Sequence, residues 1–257
     1  VLGEIDGVYR QMTHKLITIG PSHYCEKVKW AFKLAGIDYV EDAHAPIFHL
    51  PYVKLAGGTR TVPVLKTPTE VIGDSTEILA WIQAKPDARW IPYPDKNSAK
   101  IRELEDEFDE IVGPHVRRVA YWHLLPNKAL ALRAIGGDSP NWETKTIDML
   151  YDQCVKFMFK SMNIHADSVI RSNAKIMEVF DRVGQRLRDG RTFLMNDSLT
   201  AADITFASLA APMLLPEKYG WTLPSIDEVP AGFRAEVDRY RATAAGEFAL
   251  RIYATHR

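Results

Sequence analysis

Three short clusters in the N-terminal third of the chain carry residue types that could do chemistry. Ser22-His23-Tyr24-Cys25 follows Gly20-Pro21 and opens an apolar-faced stretch, so a hydroxyl, an imidazole, a phenol and a thiol stand side by side. A serine at a helix start can accept from an unpaired backbone N–H of the first turn. The same N–H groups and the helix dipole favour a negative charge, such as a thiolate, beside them. Asp74-Ser75 repeats the arrangement before a second apolar-faced stretch, where hydroxyl, N–H groups and dipole would suit a carboxylate. Between them, Val62-Pro63 lies in the strand-like run Thr61-Val62-Pro63-Val64-Leu65. Each cluster also has a plainer reading. Ser22 and Asp74-Ser75 could be helix caps alone, and Pro63 an ordinary trans proline starting an edge strand.

The elements that must position these residues follow from periodicity and punctuation. Lys15 to Ile19 is a β-rich run closed by Gly20-Pro21. Tyr24 to Ala35 carries Val28, Ala31, Phe32 and Ala35 at helical spacing, and Gly36 ends it. Ile37 to Val40 restarts an extended run, giving strand, helix, strand. Ala45 to Ala56 holds Pro46 and Pro51, so any helix there is short or irregular. Thr61–Leu65 and Val71-Ile72 read as strands, and Thr76 to Gln83 as a helix. The proline-rich stretch 85–97 reads as a linker.

Beyond it the chain reads as helical. Ser98 to Leu125 is a long amphipathic helix with a kink expected at Gly113-Pro114. Trp142 to Met162, Ala166 to Arg188, Thr200 to Leu215, Ala231 to Ala244 and Gly246 to His256 complete the set. Thr200-Ala201-Ala202-Asp203 resembles a capping box with Asp in place of Glu. The organisation expected is therefore 13–84 as an α/β domain, 85–97 as a linker and 98–257 as an all-helical domain. Residues 1–12 read as a native extension or an expression remnant.

Composition excludes several classes. Among 257 residues the net charge is −1, which offers no electrostatic case for nucleic acid or an anionic membrane. Only Cys25 and Cys154 are present, too few for a disulfide framework or a cysteine-rich zinc site, and reduced thiols in the cytoplasm are the simplest expectation. The eight histidines lack metal-ligand spacing, so no metal is expected. No run of about eighteen apolar residues and no secretory signal is visible.

Taken together, the Ser22 cluster, Val62-Pro63 and the Gly73-Asp74-Ser75 helix start resemble the N-terminal domain of glutathione S-transferases, in order and spacing. The stretch Phe193 to Ile204, with Asn196, Asp197 and Asp203, is similar to that family's folding motif at the start of a buried helix. The resemblance spans roughly residues 13 to 210. It implies a thioredoxin-like glutathione-binding domain followed by an all-α helical-bundle domain, assembled as a C2 homodimer. It implies glutathione as co-substrate and a small hydrophobic electrophile as its acceptor.

The resemblance also assigns roles. The Val62–Pro63 bond would be cis, so that Val62 turns its N–H and C=O toward the cysteinyl backbone of glutathione, like a short added strand. Asp74 and Ser75 would hold the γ-glutamyl end. Ser22 falls at the catalytic position, where its hydroxyl would donate to the glutathione sulfur and favour thiolate. Lys54 and Arg60 are candidates for the glycyl carboxylate, or solvated surface charges. Tyr121 and Trp122 would line the acceptor site, or pack in the bundle. Met158, Phe159 and Met162 read as core, and Arg117 and Arg118 as facing the cleft or bulk water.

The chain departs from the family pattern at His23, where proline is common. Ser22 to Cys25 also resembles a redox Cys-x-x-Cys motif whose attacking first cysteine is replaced by serine, which argues against dithiol chemistry. Cys25 reads as a buried small residue, while His23 or Tyr24 could supply the activating hydrogen bond instead of Ser22. Two alternatives to a transferase stay open: a glutathione-binding scaffold without turnover, and a glutathione-dependent peroxidase or isomerase.

Overall fold

A computed structural model describes residues 14–195 and 198–257. The expected N-terminal extension and the pair Asn196-Asp197 lie outside the described residues. Strand β1 (His14–Thr18) pairs in parallel with β2 (Tyr39–Ala43) and antiparallel with β3 (Val64–Lys66), which pairs antiparallel with β4 (Val71–Ile72). The sheet order is β2-β1-β3-β4. Helix α1 (His23–Ala35) crosses from β1 to β2, α2 (His49–Ala56) precedes β3, and α3 (Ser75–Gln83) follows β4. This is a mixed four-stranded sheet with helices, and the rest of the chain is mostly helical.

Local chemistry explains the boundaries. Ser22 caps α1 by accepting from the Cys25 N–H at 3.4 Å. Gly36 closes the helix in the left-handed region at φ 72°, which glycine adopts without Cβ strain. Pro63 stands before β3 rather than inside it, so the strand begins one residue beyond the proline and keeps every ladder donor. Helix α2 carries Pro51 within its first turn, where no intrahelical donor is lost, so proline does not prevent the helix.

The helical region contains α4 (Ser98–Glu107), α5 (Gly113–Leu124), α6 (Lys128–Gly136), α7 (Asn141–Met149), α8 (Tyr151–Ser161), α9 (Ala166–Arg186), α10 (Ala201–Leu214), α11 (Ala231–Arg241) and α12 (Ala244–His256). The long helix expected from Ser98 to Leu125 is interrupted by a wide π-type turn, Phe108–Val112. Pro114 cannot donate to the Glu110 carbonyl, and the Gly113 N–H reaches back to Phe108 O instead. Helix α6 lies where no helix was expected, capped by Asn127, which accepts from the Leu130 N–H at 3.1 Å. The stretch Trp142 to Met162 divides at Leu150 into α7 and α8.

Helix α10 is buried on every side except at Pro212. Asp203 builds its start: the carboxylate accepts from the Leu194 N–H, the Thr200 N–H and the Thr200 hydroxyl at 2.7, 2.7 and 2.8 Å. One apolar core runs from Leu16, Val28 and Phe32 on the sheet side to Phe206, Leu209 and Met213 of α10. The sheet region and the helices therefore share a core. Among the described residues no helix is long and apolar enough to cross a membrane.

Candidate active site

A cleft of about 760 Å³ opens between the sheet region and the helices. One wall carries Pro21, Ser22, His23 and Tyr24 from the start of α1, Arg60 to Pro63 from the segment before β3, and Gly73, Asp74 and Ser75 from the start of α3. The other wall carries Arg117, Ala120, Tyr121 and Leu124 of α5, with Phe157, Met158, Ser161 and Met162 from α8 and beyond. Ala131, Ala134 and Ile135 of α6, with Leu215 and Leu223, complete an apolar lining.

The Ser22 turn is held from the helical side. The Trp221 ring lies so close over Gly20 that a Cβ there would come within 2.1 Å of it. The same indole donates to Ala134 O at 2.7 Å. The Tyr219 hydroxyl donates to Pro21 O at 3.2 Å, and Lys29 donates to Gly220 O at 2.9 Å. The segment 219–221 thereby ties the turn before α1 to α6. Capping uses one lone pair of the Ser22 oxygen and leaves its O–H to donate into the cleft.

The three neighbours of Ser22 have different fates. His23 is buried, and burial, then the Arg117 charge, push its imidazole down to about 3, so it is neutral at physiological pH. The Tyr24 hydroxyl already donates to Asp109 O at 2.8 Å, and burial holds its pKa well above the ordinary tyrosine range. Cys25 points into the core, fully buried, with its thiol pushed up to about 12 by burial. Both cysteines are free thiols, and Cys25 is absent from the cleft lining.

The Val62–Pro63 peptide is cis, and both residues face the cleft. Asp74 takes the cap of α3, accepting from the Thr76 N–H at 2.8 Å and the Glu77 N–H at 3.4 Å. Ser75 is then the first helical residue, one position earlier than the sequence suggested, and its hydroxyl is freed from capping. Arg60 lines the cleft, whereas Lys54 is exposed on α2 and outside it. His49, which sequence reasoning passed over, also lines it, with Nε2 3.2 Å from Arg60 O.

Of the two aromatic candidates on α5, Tyr121 faces the cleft and Trp122 turns away, its ring stacked on Phe159 at 6.2 Å. Helical geometry explains the split, since adjacent residues point about 100° apart. Arg117, Ala120, Tyr121 and Leu124 share one face at i, i+3, i+4 and i+7, a signal legible in the sequence that would have put Arg117 in the cleft. Met158 and Met162, expected as core, are packed against core clusters and line the cleft as well. Arg118 turns the other way, donating to Met162 O and to Ser172 Oγ.

Behind the site, Lys27 of α1 is fully buried between Glu105 and Asp109, both at 2.8 Å, and donates to Thr76 Oγ1 at 3.3 Å. Burial alone would lower its pKa, but the two carboxylates hold it above the ordinary lysine value. Tyr93 donates to the second Glu105 oxygen at 2.6 Å. Among the described residues no group of three His, Cys, Asp or Glu could hold a metal ion.

Residues 16–90 match the model of the glutathione S-transferase N-terminal domain family. A search of curated protein sequences found no relative of the chain. Among solved structures the chain is similar to a beta-etherase from Sphingobium sp. strain SYK-6, at 18% identity and a TM-score of 0.61, over 93% of this chain and 99% of the other. It is also similar to a glutathione S-transferase of Ceriporiopsis subvermispora crystallised with glutathione, at 15% identity and a TM-score of 0.64, over 95% and 98% of the two chains. A glutathione transferase from Phanerochaete chrysosporium aligns at 18% identity and a TM-score of 0.62, over 95% and 98%. At these identities the likeness is one of fold.

Proposed function

From the chain's place in the glutathione S-transferase superfamily, carried by that family's N-terminal domain over residues 16–90, we propose that it binds glutathione and transfers it to a small hydrophobic electrophile. The observation that carries this reading is one shared cleft, with the Ser22 helix start, cis Val62–Pro63 and Asp74-Ser75 on one wall and an apolar lining opposite.

In this reading the γ-glutamyl carboxylate sits at the start of α3, where the Ser75 hydroxyl and the helix dipole favour it. Val62 pairs its backbone with the cysteinyl residue. Arg60 supplies the cation for the glycyl carboxylate. The Ser22 O–H donates to the sulfur and, with the N-terminal end of α1, stabilises the thiolate, whose proton goes to solvent. The thiolate then attacks the acceptor, forming a C–S bond as the leaving group departs or a strained ring opens. Tyr121 offers its ring to a flat acceptor. The Tyr24 O–H is spent on Asp109 O, whereas His23, neutral and with its Nε2 unpartnered at the cleft wall, is the alternative donor to Ser22. We further propose a fold divided at the linker 85–97, a C2 homodimer, and a cytoplasmic location in which Cys25 and Cys154 stay reduced.

Calorimetric titration with glutathione, wild type beside Ser75→Ala and Ser22→Ala, tests the reading. Ser75→Ala should weaken binding about tenfold, the loss of a hydrogen bond to a charged group. Ser22→Ala should bind nearly as well but raise the pKa of the bound thiol by about one unit, read from thiolate absorbance against pH. No binding to wild type at millimolar glutathione would favour a scaffold that has lost the site.

A further inference from the structure

A second cavity, of about 290 Å³, adjoins the acceptor side of the cleft and shares Arg117, Ser161 and Met162 with it. Its remaining lining is Pro114, Arg118 and Asn163. None of the residues assigned above to glutathione borders it. Its charges are of one sign. Arg117 and Arg171 are the charges that act on Arg118, and both, after burial, depress its pKa. Lys175 and Arg118 act likewise on His115, whose Nδ1 lies 3.0 Å from Arg118 Nη1 and which is neutral, its pKa pushed down to about 4. Among the described residues, Arg117, Arg118 and Arg171 form no ion pair with a carboxylate.

The two neighbouring arginines differ in what they have left to give. Arg118 donates to Met162 O at 3.3 and 3.4 Å and to Ser172 Oγ at 2.9 Å, so it is fixed as part of the wall. Arg117 is half-buried and lines both cavities, and its side chain makes no hydrogen bond to another described residue. A guanidinium is always charged and offers five donors in a planar fork suited to a carboxylate. No described side chain engages that fork, so it stays available to an anion.

We propose that this side cavity is an anion subsite for the acceptor. The electrophile is an amphiphile: its apolar, aromatic part lies in the cleft beside Tyr121 and Met158, and its carboxylate lies on Arg117 in the side cavity. The proposal rests on the transferase reading and names the substrate class of that site. Arg117 is the residue that selects the charged acceptor. The neighbouring Arg118 charge raises the local concentration of such anions.

The test compares two acceptors that share ring and leaving group, a chloronitrobenzoate and the matching chloronitrobenzamide. Wild type should prefer the benzoate by about tenfold or more in kcat/KM, chiefly through KM, as a charge-assisted hydrogen bond implies. Arg117→Gln should collapse the benzoate-to-benzamide ratio toward one, and Arg117→Lys should restore part of it. Asn163→Asp should also lower the ratio, because it adds a negative charge to the cavity. Asn163 has φ 53°, a conformation aspartate tolerates, so the fold should survive that change. Equal use of the two acceptors by wild type, or a benzoate preference that outlives Arg117→Gln, would overturn the proposal. If neither acceptor turns over, calorimetry with the chloronitrobenzoate alone decides. Arg117-dependent binding would keep the subsite and no binding would reject it, while the glutathione titration above judges the transferase reading separately.

Discussion

At Ser22 and His23, two adjacent side chains at one helix start are driven to opposite ends of polarity. The Ser22 oxygen caps α1 and still has a proton to donate toward the cleft. His23 is buried at the edge of the cleft, its Nε2 without a partner and its charge suppressed by burial and by Arg117. The consequence for stability has a definite sign. The unfolded chain takes up a proton at His23 near the ordinary 6.5, whereas the folded chain resists until about 3. Between these values the unfolded state binds more protons, so stability falls as pH drops below 6.5. His23→Gln should flatten this acid slope, measured as the urea midpoint between pH about 7 and about 4. The slope will not vanish, because His115, pushed down to about 4, acts in the same direction. An unchanged slope would mean that His23 is protonated in the fold. Sequence reasoning placed His23 beside the site, but its neutrality depends on groups from α5, and nothing local announces it.

Single elements were legible where their own ends carry the chemistry. Ser22, Gly36, Asp74 and Thr200 mark helix boundaries through side chains or backbone freedom within a few residues, and each stands where the sequence put a boundary or one position from it. Helix α6 was missed although Pro126-Asn127 before it and Gly136-Gly137 at its end are start and stop signals. Its apolar residues Leu130, Ala131 and Ile135 form a short face that periodicity alone does not separate from a loop. The start of α10 offers a sharp test at this scale. Asp203 is fully buried, and although three donors stabilise its charge, burial raises its pKa to about 6. The ionised form is thus tolerated at a cost that grows as pH rises from 3.8 through 6. Asp203→Ala would leave the Leu194 and Thr200 N–H groups unpaired in the interior and should cost about 2–4 kcal/mol by chemical denaturation. A loss below about 0.5 kcal/mol would show that water or a repacked backbone serves them instead.

Across the whole molecule the sheet region and the helices are joined by burial and by charge. Lys27 rises from α1 into a fully buried pocket formed by Glu105 of α4, Asp109 of the wide turn and Thr76 of α3. Removing one partner of such a cluster is costly because the others remain buried and charged. Lys27→Met should destabilise by about 3–5 kcal/mol, and the double change with Glu105→Gln should recover part of that loss. Because one apolar core spans both regions, tryptophan fluorescence and far-UV circular dichroism should lose their signals in a single transition. Two separated transitions would show that the regions unfold independently, and a small effect of Lys27→Met would show that the cluster is hydrated.

What the sequence determined by itself is the set of local preferences: the strand and helix order of the first seventy or so residues after Met12, the caps, and the three motifs that face the proposed glutathione site. These depend on hydrogen bonds and periodicities only a few residues long. What tertiary structure alone decided is which faces of the later helices look at those motifs. Tyr121 enters the cleft while Trp122 leaves it, Arg117 stays unpaired while Arg118 is bound into the wall, and Met158 serves both core and cleft. An amphipathic pattern says that a face is buried but not against what. Here the partner is set by α10, which packs between the sheet-side helix and the bundle, and by Trp221, which fixes the Ser22 turn to α6 across the chain.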